Sequence, residues 1–174
     1  MNLAVAAIGG DRPGIVAGIT GVLVEVGGNV DDSQMSILHG QFAVMLIVSV
    51  PDDCDVEALD RRLTEVADEL GLDGLSVTRL PSLDRGGEPT HVLTVYGPDR
   101  PGIVHETAQR LADLGVNITD LRTRRTGSGE SPLYTLIMEV SVPGDGSDLD
   151  AELASFAQSG GLEVSLAELQ TEPL

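Results

Sequence analysis

Short apolar runs and amphipathic stretches alternate along the chain. Leu3 to Ile8 form a compact apolar run that ends in Gly9-Gly10, as a strand buried in a sheet does. Ile15, Ile19, Leu23 and Val26 follow at steps of three and four, which puts them on one face of a helix. Gly27 then stands where a left-handed helix stop is wanted. Residues 29–38 and 41–50 predict a hairpin turning near His39-Gly40. Val56, Leu59, Leu63, Val66 and Leu70 mark a second amphipathic helix, Gly71 ends it, and Leu75, Val77 and Leu80 alternate as a closing strand.

The same order then returns. Gly9-Gly10-Asp11-Arg12-Pro13-Gly14-Ile15-Val16 recurs as Gly97-Pro98-Asp99-Arg100-Pro101-Gly102-Ile103-Val104, an offset of 88 residues, and 11 of 24 positions agree between 9–32 and 97–120. Val92 to Tyr96 repeat the first strand, and Ile103, Thr107, Leu111 and Leu114 repeat the first helix before Gly115. Phe42 to Pro51 align with Tyr134 to Pro143 at an offset of 92, so four residues are inserted within 126–132, where Gly, Ser and Pro predict a longer hairpin loop. Leu149, Leu153 and Phe156 predict a shorter second helix in this copy, stopped by Gly160-Gly161 before a strand at Leu162, Val164 and Leu166. The fold class read from this repeat is α+β: two tandem ferredoxin-like βαββαβ modules, antiparallel sheets with helices on one face. The boundaries are 1–80 for the first module, 81–90 for a Pro- and Gly-bearing linker, and 91–170 for the second.

One strand breaks the expected alternation. Phe42, Val44, Leu46 and Val48 make one side, yet Ala43, Met45 and Ile47 make the other apolar as well. The face that helices leave bare therefore needs a cover, either the partner module or another chain. This predicts tight module association and, further, a homodimer.

Composition narrows the partners. There are 28 acidic residues against 10 basic ones, all arginines, for a net charge of −18. Such a surface repels nucleic-acid phosphates and anionic lipid, so no direct nucleic-acid or membrane binding is expected. A single cysteine, Cys54, rules out an internal disulfide and suits a reducing compartment. With no basic flank leading into an apolar leader and no long apolar span, the expected location is cytoplasmic. Aromatics are 2% of the chain, so the cores must be aliphatic.

The duplicated block has a physical use. It places a helix N-terminus directly after a strand, and the first helical N–H groups have no intrahelical partner and carry the positive end of the helix dipole. Pro13 and Pro101 suit the first helical position. Gly14 and Gly102 allow a ligand close to the backbone, with Ile15 and Ile103 completing the segment, and a carboxylate fits such a corner. Asp11 and Asp99 can accept from an α-ammonium group, Arg12 and Arg100 can reach a carboxylate, and Asn29 and Asn117 offer both a donor and an acceptor. A structural reading stands beside this: Asp as a capping residue, Gly as a packing necessity, Asn as a turn residue of positive φ, all recurring because the fold recurs. Arg122, Arg124 and Arg125 replace Gln34, Ser36 and Ile37 in the second copy. They suit an acidic partner, a ligand carboxylate or simply a solvated strand.

No catalytic constellation assembles. His39, His91 and His105 have no metal-type spacing with one another or with Cys54. Cys54 stands among Asp52, Asp53 and Asp55, a poor setting for a nucleophilic thiol. His105 reads as a surface residue of the first helix of copy two, close to the corner. There is no nucleophile elbow and no phosphate-binding loop, and no cofactor is implied. The chain reads as a non-enzyme.

Asp-Arg-Pro-Gly-Ile-Val after a strand, followed by Gly-Gly-Asn-Val or Gly-Val-Asn-Ile, resembles the ACT domain family over both halves of the chain. Asp31-Asp32-Ser33 with Gly40-Gln41-Phe42-Ala43-Val44-Met45-Leu46 looks like the tandem glycine cleavage system transcriptional repressors. The resemblance implies a regulatory protein that senses a small amino acid, glycine or serine favoured, with Asn29 and Asn117 completing a site across a module interface. It implies action through a separate DNA-binding regulator. Two other readings remain: a ligand-free protein-interaction module, and the detached regulatory subunit of an amino-acid or one-carbon metabolic enzyme.

Overall fold

The computed structural model describes residues 1–83, 87–127, 132–144 and 147–169, and the chain divides into two compact units, Met1–Asp84 and Arg85–Leu174. The first contains β1 (Asn2–Gly10), α1 (Ile15–Glu25), β2 (Asn29–Leu38), β3 (Gln41–Ser49), α2 (Val56–Glu69) and β4 (Leu72–Leu80). The second contains β5 (His91–Pro98), α3 (Ile103–Asp113), β6 (Asn117–Thr126), β7 (Leu133–Ser141), α4 (Ser147–Gly160) and β8 (Glu163–Glu168). Sheet order is β2-β3-β1-β4 in the first unit and β6-β7-β5-β8 in the second, with every pairing antiparallel. The expected βαββαβ order and fold class hold in both.

Each unit has its own aliphatic core. Leu3, Val5, Ala7, Val44, Leu46 and Val48 of β1 and β3 pack with Ile15, Ile19 and Leu23 of α1 and Leu59 and Leu63 of α2. Leu93, Val95, Leu136, Met138 and Val140 pack with Ile103, Leu111, Leu149, Leu153 and Phe156. Burial of these apolar surfaces against one sheet face is the main stabilising term for so thin a fold. Thr107 is the polar member of its core face, and its hydroxyl donates to Ile103 O at 2.8 Å, which removes the cost of burying it.

The turns follow the sequence. His39 and Gly40 both take positive φ, 51° and 80°, the geometry that matches strand twist in a two-residue hairpin. In the second unit β6 ends at Thr126 and β7 begins at Leu133, so the loop is longer; its residues 128–131 lie outside those described, as do 84–86 of the linker stretch. β2 and β6 each carry a register shift at the same place, between Val30 and Asp32 and between Ile118 and Asp120.

Two expectations are corrected. α4 spans 14 residues, as α2 does; it is not shorter, because it continues past its last large buried residue, Phe156, to Gly160. Asn29 and Asn117 are ordinary strand residues, and among the described residues His39 is the non-glycine residue of positive φ; the turn role for the asparagines therefore does not apply.

The helix-free face of the first sheet is apolar and largely open. Ile8 is 53% and Met45 54% exposed, while Ala43 and Ile47 are half-buried. Among the described residues no helix is long and apolar enough to cross a membrane.

Candidate functional site

Each module turns from its first strand into its first helix through Asp-Arg-Pro-Gly. The helix starts on Gly14 (φ 98°, ψ −9°) or Gly102 (φ 96°, ψ −11°), a left-handed conformation that glycine adopts without strain. Pro13 and Pro101 therefore precede the cap and are not the first helical residues, contrary to expectation. The left-handed glycine redirects the chain after the proline, and the helix begins at Ile15 or Ile103. Neither glycine cap has a side-chain hydrogen bond. The first helical bonds run from Gly18 N–H to Gly14 O and from Glu106 N–H to Gly102 O, both 2.8 Å. The amides ahead of them have no intrahelical acceptor and carry the dipole's positive end. A Cβ on Gly14 would meet nothing within 4 Å, so that corner is open to a ligand.

The flanking side chains sort differently from the expected set. Ile15 and Ile103 are each 2% exposed and their side chains belong to the cores, so what they offer a ligand at the corner is the backbone amide. Asp11 and Asp99 donate backbone N–H groups to Gly40 O and Pro132 O, both at 2.8 Å, tying each corner to its hairpin tip. Arg12 donates to Leu70 O at 2.9 Å, a cation placed at the C-terminal end of α2 where the helix dipole favours it. Arg100 instead grips Glu106 with both Nη atoms, at 2.6 and 2.8 Å, the parallel fork typical of guanidinium and carboxylate. The first copy has Gly18 at that position. Hydrogen bonding from Arg100 dominates in holding the Glu106 carboxyl below its ordinary pKa, aided by the charges of Arg100, Arg110 and His105 and opposed by desolvation.

Asn29 and Asn117 do not join these corners within a module. Asn29 pairs with Ser49, which pairs with Asn2, so it lies abreast of the start of β1, whereas the corner follows Gly10 at its end. At about 3.3 Å per residue the separation is about 26 Å along the sheet. Its amide donates to Asp31 Oδ1 at 2.8 Å. Asn117, opposite Ser141 at the His91 end of β5, is placed likewise.

The second corner opens on a pocket of about 540 Å³ lined by Asp99, Arg100, Pro101, Gly102, Ile103, Val104, His105 and Tyr134, within the range of small-molecule sites. Arg125 reaches Asp99 Oδ2 at 2.7 Å and Arg122 pairs with Asp120 at 3.0 Å, so two of the three clustered arginines are held within the chain. Tyr134 was not anticipated. The available signal was its alignment with Phe42, since a hydroxyl added at a core aromatic needs a polar outlet. His105, read as a surface residue, is exposed and lines this pocket. A different hollow of about 580 Å³ lies over the first sheet between Ala6, Ile8, Ala43, Met45, Gly74 and Ser76, and none of its lining residues is charged. Among the described residues no group of three or more His, Cys, Asp or Glu is placed to hold a metal ion.

Fold and corners together define a tandem pair of ferredoxin-like modules of the kind used for regulation. Sequence profiles of the ACT domain match residues 2–75 and 91–160. The chain belongs to the ACT domain family and carries two such regulatory domains in tandem. A UPF0237 protein of Methanopyrus kandleri is 41% identical over 70 residues, 40% of this chain and 78% of that protein. The phosphoserine phosphatase of Mycobacterium tuberculosis is 27% identical over 172 residues, which cover 97% of this chain but 41% of the phosphatase. Among solved structures, a protein of Galdieria sulphuraria superposes with TM-score 0.83 at 27% identity, covering 97% of this chain and 98% of its own. One provisionally named a glycine cleavage system transcriptional repressor gives TM-score 0.76 at 17% identity, with 98% of each chain covered, a likeness of fold.

Proposed function

We propose that the chain is a non-catalytic regulatory sensor of a small amino acid, with glycine or serine the favoured ligands. The observation that carries this reading is the pair of helix starts without side-chain caps, the second of them beside a pocket of ligand size. A ligand carboxylate is received by the free amides after Gly14 or Gly102. At the second corner the charged groups are already balanced, Asp99 by Arg125 and Arg100 by Glu106, which suits a zwitterion of no net charge. Asn29 or Asn117 takes part only from outside the module that holds the ligand, in keeping with a homodimer. The chain's net charge of −18 disfavours direct contact with DNA, so control of glycine cleavage genes would run through a separate DNA-binding regulator. The name of the 17%-identical structural neighbour is in keeping with that role, and the proposed location is the cytoplasm.

Calorimetric titration tests the reading. Glycine or serine should give saturable heat that Gly102→Val abolishes, because its side chain crowds the corner and its backbone cannot hold φ near 96° without strain. Flat traces with both ligands would sink it. A second reading, a regulatory segment for an amino-acid enzyme, is favoured by the 27% identity to a phosphoserine phosphatase across 97% of this chain. That reading requires a catalytic unit, in the same polypeptide or in a separate chain, whose turnover changes when these two modules are removed.

A further inference from the structure

We propose that Glu106 is a built-in competitor at the second corner: its carboxylate holds Arg100 as a ligand carboxylate would, and an arriving carboxylate binds by displacing it. This rests on the corner being a ligand site, as proposed above, and adds how the site is kept closed and what opens it.

Both Glu106 oxygens are engaged by Arg100, at 2.6 and 2.8 Å, so the paired edge of the guanidinium that reads carboxylates is filled. Glu106 Oε1 also stands 3.1 Å from where a Cβ on Gly102 would be. The internal carboxylate thus overhangs the cap glycine at the rim of the pocket lined by Asp99, His105 and Tyr134. Arg100 and Glu106 side chains are 35% and 36% exposed, and an ion pair that wet is held weakly enough to exchange. The first corner has no such group: Gly18 occupies the aligned position and Arg12 is bound to Leu70 O.

Displacement favours one ligand class. When an incoming carboxylate takes Arg100, the Glu106 carboxylate is released beside the pocket and becomes an acceptor for a cation. An α-amino acid supplies both groups, carboxylate to Arg100 and ammonium to Glu106. A plain carboxylate supplies only the first and leaves Glu106 without its partner.

The test follows the backbone amides of Gly102 and Ile103 by NMR in the full chain, with Gly14 as the reference for the first corner, during titration with acetate and with glycine. In Glu106→Gln, acetate should bind the second corner about tenfold more tightly, the gain expected if the pair is closed about nine-tenths of the time. The preference for glycine over acetate should narrow, and adding Arg100→Gln should erase the gain. Unchanged or weaker acetate binding in Glu106→Gln, with glycine still binding the wild type, overturns the competitor and leaves the sensor standing. An acetate gain with no glycine binding keeps the competitor and sinks amino-acid sensing. Silence at Gly102 for both probes in every variant overturns both.

Discussion

The two corners are built on one backbone and furnished differently. Their cap glycines agree within about two degrees, φ 98° against 96° and ψ −9° against −11°, and both aspartate amides bond a hairpin-tip carbonyl at 2.8 Å. The aligned side chains at the rim do not agree: Ala17, Gly18, Ile37 and Phe42 in the first copy become His105, Glu106, Arg125 and Tyr134 in the second. The helix-free sheet faces differ in the same direction. Residues directly opposite across strands share a face, which puts Ala6, Ile8, Ala43, Met45 and Ile47, with Gln34 and Ser36 towards the edge, on the first and Thr94, Tyr96, Thr135, Ile137 and Glu139, with Arg122 and Arg124 towards the edge, on the second. The cap glycines are shared because the left-handed turn demands them, while the divergent side chains, buried Phe42 apart, stand at least partly in solvent. The first sheet face is the more apolar of the two and the second the more charged.

The largest effect should come from the interface between helices. In the second unit Arg110 lies 4.3 Å from the Phe156 ring centroid and its Nε is 3.3 Å from Glu152 Oε1; in the first the aligned residue is the buried Val22. Phe156→Ala should cost about 3–5 kcal/mol, and Leu63→Ala in the first core about 2–5. The ring's loss should be the greater of the two, because it also strips Arg110 of its cation–π partner. Urea denaturation ranks them, and an Arg110→Ala variant as stable as the wild type would show that Arg110 contributes nothing to that interface.

A smaller effect separates the corners themselves. Gly14→Ala should cost about 1–2 kcal/mol from left-handed backbone strain alone, since its Cβ meets nothing within 4 Å. Gly102→Ala should cost more, because its Cβ would press Glu106 Oε1 at 3.1 Å. Equal losses in thermal denaturation would mean that the Arg100–Glu106 fork moves aside freely.

How much of this could be read from the residues alone depends on what was local. Apolar spacing at Ile15, Ile19 and Leu23, or at Leu59 and Leu63, places helices because burial has a period, and the repeat then fixes the order of elements. Read from sequence, α1 starts two residues early, at Pro13 instead of Ile15, because Pro before a helix is equally at home just outside it. Asn29 lies in the same repeated block as Pro13-Gly14, but α1 and β1 carry it to the opposite end of the module, a separation that no local spacing reveals. Helix-to-ring and cross-strand meetings such as Arg110 with Phe156 or Arg125 with Asp99 leave no periodic trace. They depend on which faces the packed elements present.

The smallest expected effect sharpens the contrast between Gly18 and Glu106. The Arg100 hydrogen bonds hold the Glu106 carboxyl below the ordinary glutamate value of 4.5. For an acid whose folded value is lowered, the stabilisation is fully present above the unfolded value and is lost as pH falls through the folded one. Arg100 stays protonated throughout, since its own value is raised by the same bond. Wild type should therefore exceed Glu106→Gln in thermal midpoint at neutral pH, by a small margin because the pair is at the surface, and the gap should close as pH falls through the lowered folded value. The variant is needed as the reference because Asp52, lowered chiefly by a hydrogen bond from the Met1 ammonium, loses its own contribution in the same acid range. That loss is common to both proteins and cancels in the difference. A gap that persisted in acid would assign Glu106 a packing role over Gly102 instead of an ionic one.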